Sequence, residues 1–548
     1  MKAIFIILLW FSAICTMAQN QFTPNDELQG LLKSYKPSYS PDLPEWAKML
    51  YQPKVNFTEV SAAFELYMDE NPGKESAIIR YFRIWSRAVE PYVLEDGTIQ
   101  LPDLNKEYEE LRNMQAETFL NPIKNPVSNS NWSFVGPKET FWLNESGSTT
   151  APGSCPWQVN VYSFDIAPSD NTVIFCGTET GFVNKTTNKG QNWSLVAPGY
   201  FFVGSVTAIA IHPSNPDIVY AAAGNQVHKT TNGGISWTPM LPTGNLFYAD
   251  RLKIDPNNPQ KLYAASSNGL YTSSDAGVTW TQKWNAPAYD VEIKPNDDTQ
   301  IFALTKANGK FSVVQSTDGG QTFTAQSTFP TNVTESSGGL LAMTTANPNL
   351  MFAICLSANN TPYLLKGTFS GGIWSWALQA TGQTTVFPMD NGQGYFDLAM
   401  EVSPVNQNII LVGTTTLFKS VNGGATFTPI GGYYGNFNIH PDIQDIKMLS
   451  NGESWVSTDG GMNLTTDNFT LAANYFVKVN GIIGSDLWGF DQGWNEDIMV
   501  GGRYHNGNTA IASFYQPKAL RMGGAESPTG WVLQGKSRHV AFNDLGNG

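Results

Sequence analysis

Acidic and aromatic side chains recur together along the chain from residue 200 onward. Tyr200 opens the series, and Phe247 and Tyr248 follow. Tyr289 then lies beside Asp290, and Tyr395 lies two residues before Asp397. Tyr434 and Asp442 come next, and Asp486 stands two residues before Trp488. Flat rings stack on sugar faces or on apolar peptide side chains, and carboxylates accept sugar hydroxyls. The pattern predicts a face that binds a glycan or protein ligand, with Tyr200, Phe247, Tyr248, Tyr289, Tyr395, Tyr434 and Trp488 supplying its rings. The same rings could instead wedge between packed elements.

An internal repeat supplies the elements that must position these residues. One octapeptide recurs: Ser/Thr, any residue, Asp/Asn, any residue, Gly, any residue, a small or polar residue, then Trp/Phe. It runs from Thr186 to Trp193, Thr230 to Trp237, Ser273 to Trp280, Ser316 to Phe323 and Ser420 to Phe427. A degraded copy spans Thr368 to Trp374. Ser457 to Met462 reads as a copy that has lost its aromatic end. The acceptor positions are therefore Asn188, Asn232, Asp275, Asp318, Asn422 and Asp459. An Asp or Asn oxygen there can accept backbone N–H groups of the turn, and the following Gly allows positive φ. Those side chains are read as structural, since Asn replaces Asp freely. Each copy follows an apolar strand, a turn such as His212-Pro-Ser-Asn-Pro216, and further short strands. Four strands in about 43 residues match one blade of a β-propeller.

The octapeptide is the pattern called the Asp-box, or BNR repeat. From about Trp132 onward the chain resembles the Asp-box propellers of sortilin-type receptors, sialidases and xyloglucanase-type glycoside hydrolases. Asn56–Phe64, Tyr81–Trp85 and Trp132–Pro137 add a narrower resemblance. They are similar to secreted Bacteroidetes proteins in which a helical leader precedes a sortilin-like propeller. The resemblance implies an all-β fold, a seven- to eight-bladed Asp-box β-propeller preceded by a small α-helical leader domain. It also implies type IX secretion, whose machinery would read a C-terminal sorting domain. No such domain is read before Gly548, and the final strands read as an incomplete blade. Trp132–Val135 is expected as a closing outer strand.

Two chemistries follow from the resemblance. Sialidases clamp a carboxylate with three arginines. The repeat region holds only Arg251, Arg503, Arg521 and Arg538, three of them near its end, so sialidase activity is rejected. Phe82-Arg83-Ile84 is similar to the start of a sialidase motif, but Trp85 replaces its Pro and the segment reads as helix. Xyloglucanase-type enzymes pair two carboxylates, roughly 6.5–9.5 Å apart in inverting glycosidases. The candidates for acid and base are Asp290, Asp397, Asp442 and Asp486. However, Gly502–Gly507 departs from the family's Gly-Thr-Gln-Asp-Asn-Gly motif, with His505 at its Asp position. His440–Asp445 likewise lacks two family histidines. The expected function is a binding module, with glycoside hydrolysis as the alternative. A structural adhesin is a third reading.

Composition narrows the classes further. Of 548 residues, 14% are charged and 12% aromatic, with 50 Gly. That composition excludes disorder and coiled coils. A net charge of −14 argues against a general nucleic-acid or anionic-membrane binder. Residues 1–18 read as a signal peptide cleaved after Ala18, which implies a secreted or cell-surface protein. Residues 19–127 read as helical leader and linker, with helices around Phe57–Tyr67 and Ile78–Val89 and a third over Leu104–Met114. Residues 128–548 read as the propeller. No later segment is apolar enough to insert in a membrane. Cys155 and Cys176 could form a disulfide, and Cys355 reads as a buried thiol. No Cys/His spacing suggests a metal, and no cofactor is expected.

Overall fold

The computed structural model describes residues 36–100, 140–142, 153–154 and 157–542, apart from 201, 203, 241–247, 331, 390–396, 494–496, 516–517, 524–529 and 534–538. The signal segment, the helix expected over Leu104–Met114, Trp132–Val135, Cys155, Phe247 and Tyr395 lie outside the described residues. The chain divides into two compact units, residues 1–121 and 122–548.

The first unit is helical. Helix α1 spans Glu45–Met49, α2 spans Phe57–Glu70 and α3 spans Ala77–Val89. Asn56 caps α2 by accepting the Glu59 N–H, and Ser76 caps α3 by accepting that of Ile79. The apolar faces meet in a core of Trp46, Val60, Ile78, Ile79, Phe82 and Trp85. Phe82-Arg83-Ile84 therefore lies inside a helix, as its sequence context requires. No described helix is long and apolar enough to cross a membrane.

Among the described residues, the second unit is built mainly from four-stranded antiparallel sheets. Seven of them follow one another along the chain, each made of four consecutive strands. Their first strands are Val161–Ile166, Val206–Ile211, Ala249–Ile254, Ala288–Ile293, Gly338–Met343, Ala399–Val402 and Ile443–Met448. Each first strand packs on that of the next sheet, and the seventh packs back on the first. The sheets therefore radiate from a ring of inner strands, which is the architecture of a β-propeller. An eighth sheet begins at Leu487–Gln492 and lies outside this cycle. Thr140–Trp142 joins it, pairing in parallel with Ala519–Arg521.

Among the described residues, hydrogen bonds and a shared core join the seventh sheet to the first. The Trp193 indole donates to the Lys478 carbonyl, and the Trp193 N–H donates to that of Asn480. Asn184 and Ile483 exchange two bonds, and the Gln158 N–H donates to the Gly460 carbonyl. Beneath them Phe164, Ile174, Trp193, Trp455 and Met462 share one core. Cys176 belongs to that core as a buried free thiol, so the pairing expected with Cys155 is corrected; Cys355 is likewise free and buried.

The octapeptides form one kind of turn between third and fourth strands. In the fourth sheet, Asp318 Oδ1 accepts the Thr322 N–H and Ser316 Oγ accepts that of Gly320. Asn188, Asn232, Asp275 and Asn422 repeat the pattern. Trp193, Trp237, Trp280, Phe323 and Phe427 are buried under their turns. Asp459 needs correction. It lies between the second and third strands of the seventh sheet, at the other end. The matching turn there runs from Thr465 to Leu471, with Asp467 as its acceptor. Its Gly position is taken by Phe469, at φ +56°, and that ring fills the core in place of the usual aromatic.

Candidate functional site

Alternating strand direction gives the ring two distinct ends. One end carries the turns between first and second strands and the octapeptide turns. The other carries the second-to-third-strand turns and the loops from each outer strand to the next inner strand. The candidate site lies at this second end, where the seventh, first and eighth sheets come together.

Three turns between second and third strands supply its centre. Glu179 follows Ile174–Thr178 in the first sheet, Asp459 follows Ser454–Thr458 in the seventh, and His505 follows Met499–Arg503 in the eighth. His505 Nδ1 lies 3.1 Å from Asp459 Oδ2, and its Nε2 lies 4.0 Å from Glu179 Oε2. Asp442, just ahead of the seventh inner strand, adds a third carboxylate. Its oxygen, one from Asp459 and a ring nitrogen of His505 lie within 4.8 Å of one another. Asp442 and His505 both hold left-handed backbone, at φ +68° and +61°. Such strain in non-glycine residues concentrates at functional sites.

Bulges in the inner strands aim supporting side chains at this centre. Pairing slips after the first residue of the inner strand in the first, seventh and eighth sheets, leaving Tyr162, Gln444 and Trp488 as the extra residues. The Tyr162 hydroxyl donates to Glu179 Oε1 at 3.0 Å, and Asn160 Nδ2 donates to Oε2 at 3.2 Å. Gln444 Nε2 donates to Asp459 Oδ1 at 2.8 Å. The Trp488 indole donates to Asp486 Oδ2 at 3.0 Å and stacks on Tyr504, with ring centres 4.2 Å apart and planes 10° apart. Tyr504 in turn touches the His505 ring.

Electrostatics sets these carboxyls apart. Burial, then the charge of Asp442, pushes Asp459 well above the usual carboxylate range, and Asp397 adds to the push. Glu179 is also raised by burial, opposed by its Tyr162 hydrogen bond and by His505. His440, whose Nε2 lies 3.2 Å from the His505 carbonyl, is pushed down to about 4 by burial. It stays neutral at physiological pH.

Of the four carboxylates expected to act as acid or base, Asp397, Asp442 and Asp486 interact with this centre. Asp290 does not. It lines the central channel with Lys253, Glu292 and Glu401, and its Oδ2 accepts the Leu341 N–H of the neighbouring sheet. Among the expected rings, Tyr248, Tyr434 and Trp488 are exposed. Tyr200 and Tyr289 are wedged between sheets, with hydroxyls bonded to His228 and Glu335. Glu179, Tyr162 and Gln444 were missed by sequence reasoning. Aligning Thr178–Gly181, Thr458–Gly461 and Arg503–Gly507 as equivalent turns would have found Glu179 and placed Asp459 correctly.

No protein-family model matches the chain, and no curated protein matches it. Solved structures do. A GH74 enzyme described as ancestral is 16% identical, with a TM-score of 0.52, covering 65% of this chain and 53% of that one. The GH74 xyloglucanase from Xanthomonas campestris is 15% identical, with a TM-score of 0.50, covering 64% and 59%. The GH74 enzyme of Niastella koreensis is 20% identical, with a TM-score of 0.51, covering 68% and 62%. The chain thus spans between half and two-thirds of the length of these enzymes. At such identities the likeness is one of fold: this chain contains a β-propeller.

Proposed function

We propose that the chain is an exported glycan-binding β-propeller, with seven blades in the ring and Asp-box turns on the end opposite the ligand. One observation carries this reading. Trp488 is 57% exposed, yet its indole is held flat against Tyr504 and fixed by Asp486. A rigid exposed ring flanked by carboxylates suits a pyranose face and its hydroxyls. Because the platform is already ordered, little side-chain freedom is lost on binding. Tyr248 and Tyr434 extend an aromatic surface around the same end.

Glycoside hydrolysis is the second reading, favoured by Asp459. A buried carboxyl whose pKa is raised beside other carboxyls is the kind of group a general acid uses, and GH74 enzymes are among the solved structures of like fold. A polysaccharide panel that includes xyloglucan separates the two. Retention without new reducing ends supports binding alone, and released reducing ends support hydrolysis. If no polysaccharide is retained or cleaved, both readings fail. Export predicts that the mature chain recovered outside the cell begins at Gln19, which N-terminal sequencing checks.

A further inference from the structure

We propose that Asp442, Asp459 and His505 bind a divalent first-row transition-metal ion. The three residues come from separate places: the loop into the seventh inner strand, a turn of the seventh sheet and a turn of the eighth. All three are buried, and their potential ligand atoms lie within 4.8 Å of one another. Zinc takes carboxylate oxygen and imidazole nitrogen at roughly 2.0–2.2 Å, so two ligands of one ion lie at most roughly 4 Å apart. The cluster needs to close by less than about an ångström to meet that geometry.

Asp459 points independently to a cation. Its side chain is fully buried, and Gln444 satisfies Oδ1. Oδ2 accepts no hydrogen bond, although His505 Nδ1 approaches to 3.1 Å. A buried carboxylate oxygen without a donor is costly, and a cation between it and the imidazole removes that cost. The charge balance points the same way, since Glu179 and Asp397 add negative charge around the three ligands.

The surroundings of His505 fit a ligand role. With Nδ1 facing Asp459, Nε2 faces Glu179 at 4.0 Å, and Tyr162 and Asn160 hold that carboxylate in place. Histidines that ligate metals commonly direct the other ring nitrogen to a carboxylate. One nitrogen and two oxygens favour zinc over magnesium or calcium, which prefer oxygen alone.

The test uses the whole chain after EDTA treatment and dialysis. Zinc chloride is titrated by calorimetry, and bound metal is measured after a second dialysis. One equivalent of zinc is expected, with proton release and a raised melting temperature. Asp459→Asn and His505→Asn, the latter suited to left-handed backbone, should each abolish that equivalent. Glu179→Gln should weaken it about tenfold. Melting of each metal-free variant separates lost binding from lost folding, and any one folded variant decides. No zinc retained by the unmodified chain overturns the proposal. Zinc retained equally by a folded Asp459→Asn or His505→Asn also overturns it, and assigns the His505–Asp459 approach to a shared proton.

Discussion

The two ends of the ring use aspartate in opposite ways. At the octapeptide end, Asp318 accepts hydrogen bonds from Gln321, Thr322 and Ser316, which hold its carboxyl below the usual range. Asp275 and Asp467 are lowered too, burial opposing their turn hydrogen bonds. At the opposite end, Asp459 is buried among other carboxyls and raised. A carboxylate whose acceptors are filled by its own turn serves folding. One left facing like charges stores electrostatic free energy that a ligand or proton can release. On the proposed reading, the octapeptide end serves folding and the opposite end serves the ligand.

The largest expected effect lies at the structural end. Trp193 is buried beneath its turn and bonds the first sheet to the seventh. Trp193→Ala should destabilise the second unit by about 3–5 kcal/mol, read by denaturant unfolding. A loss below about 1 kcal/mol would mean that closure does not depend on this ring. Next come the hydroxyls that organise the turns. Thr465→Val leaves the N–H groups of Asp467 and Phe469 without their acceptor, and Ser316→Ala does the same to Asp318 and Gly320. Each should cost about 1–3 kcal/mol. Similar costs in both sheets would make the Thr465 turn equivalent to the five found by pattern.

The smallest effect is a contrast in sign. The folded pKa of Asp318 is depressed, so its contribution is present above the unfolded value of about 4 and is lost as pH falls. The folded pKa of Asp459 is raised, so its contribution is present below about pH 4 and is lost as pH rises through the folded pKa. With EDTA present, Asp318→Asn should therefore flatten the acid side of the stability profile. Asp459→Asn should flatten the decline towards neutral pH. Melting curves from pH 3 to pH 8 check both, and changes of the same sign would break the comparison.

Much of the fold was legible because its repeat is local. Spacings of 43 or 44 residues and a turn with its own acceptor, glycine and aromatic can be read from one stretch of chain. The seventh turn departs from the pattern because Phe469 merges glycine and aromatic in one position, so the pattern points to Ser457–Met462 instead. The site was less legible because its parts lie far apart in sequence. Glu179 and Asp459 meet only when the ring closes, His505 joins them from a sheet outside the ring, and nothing near any one of them predicts the others. Tyr162, Gln444 and Trp488 depend on strand bulges, which leave no pattern of their own in an apolar run. Tyr200 and Tyr289 show the converse: their spacing matched the exposed rings, and only packing shows that they are wedged between sheets.

Affinity electrophoresis in gels containing xyloglucan or other soluble polysaccharides, comparing the unmodified chain with Trp488→Ala, tests the central claim most directly. Trp488 is exposed, so the substitution should leave the melting temperature unchanged. The unmodified chain should be retarded by at least one polysaccharide, and Trp488→Ala should migrate as in a gel without it. Equal retardation of both chains would contradict the assignment of the ligand to this end of the ring.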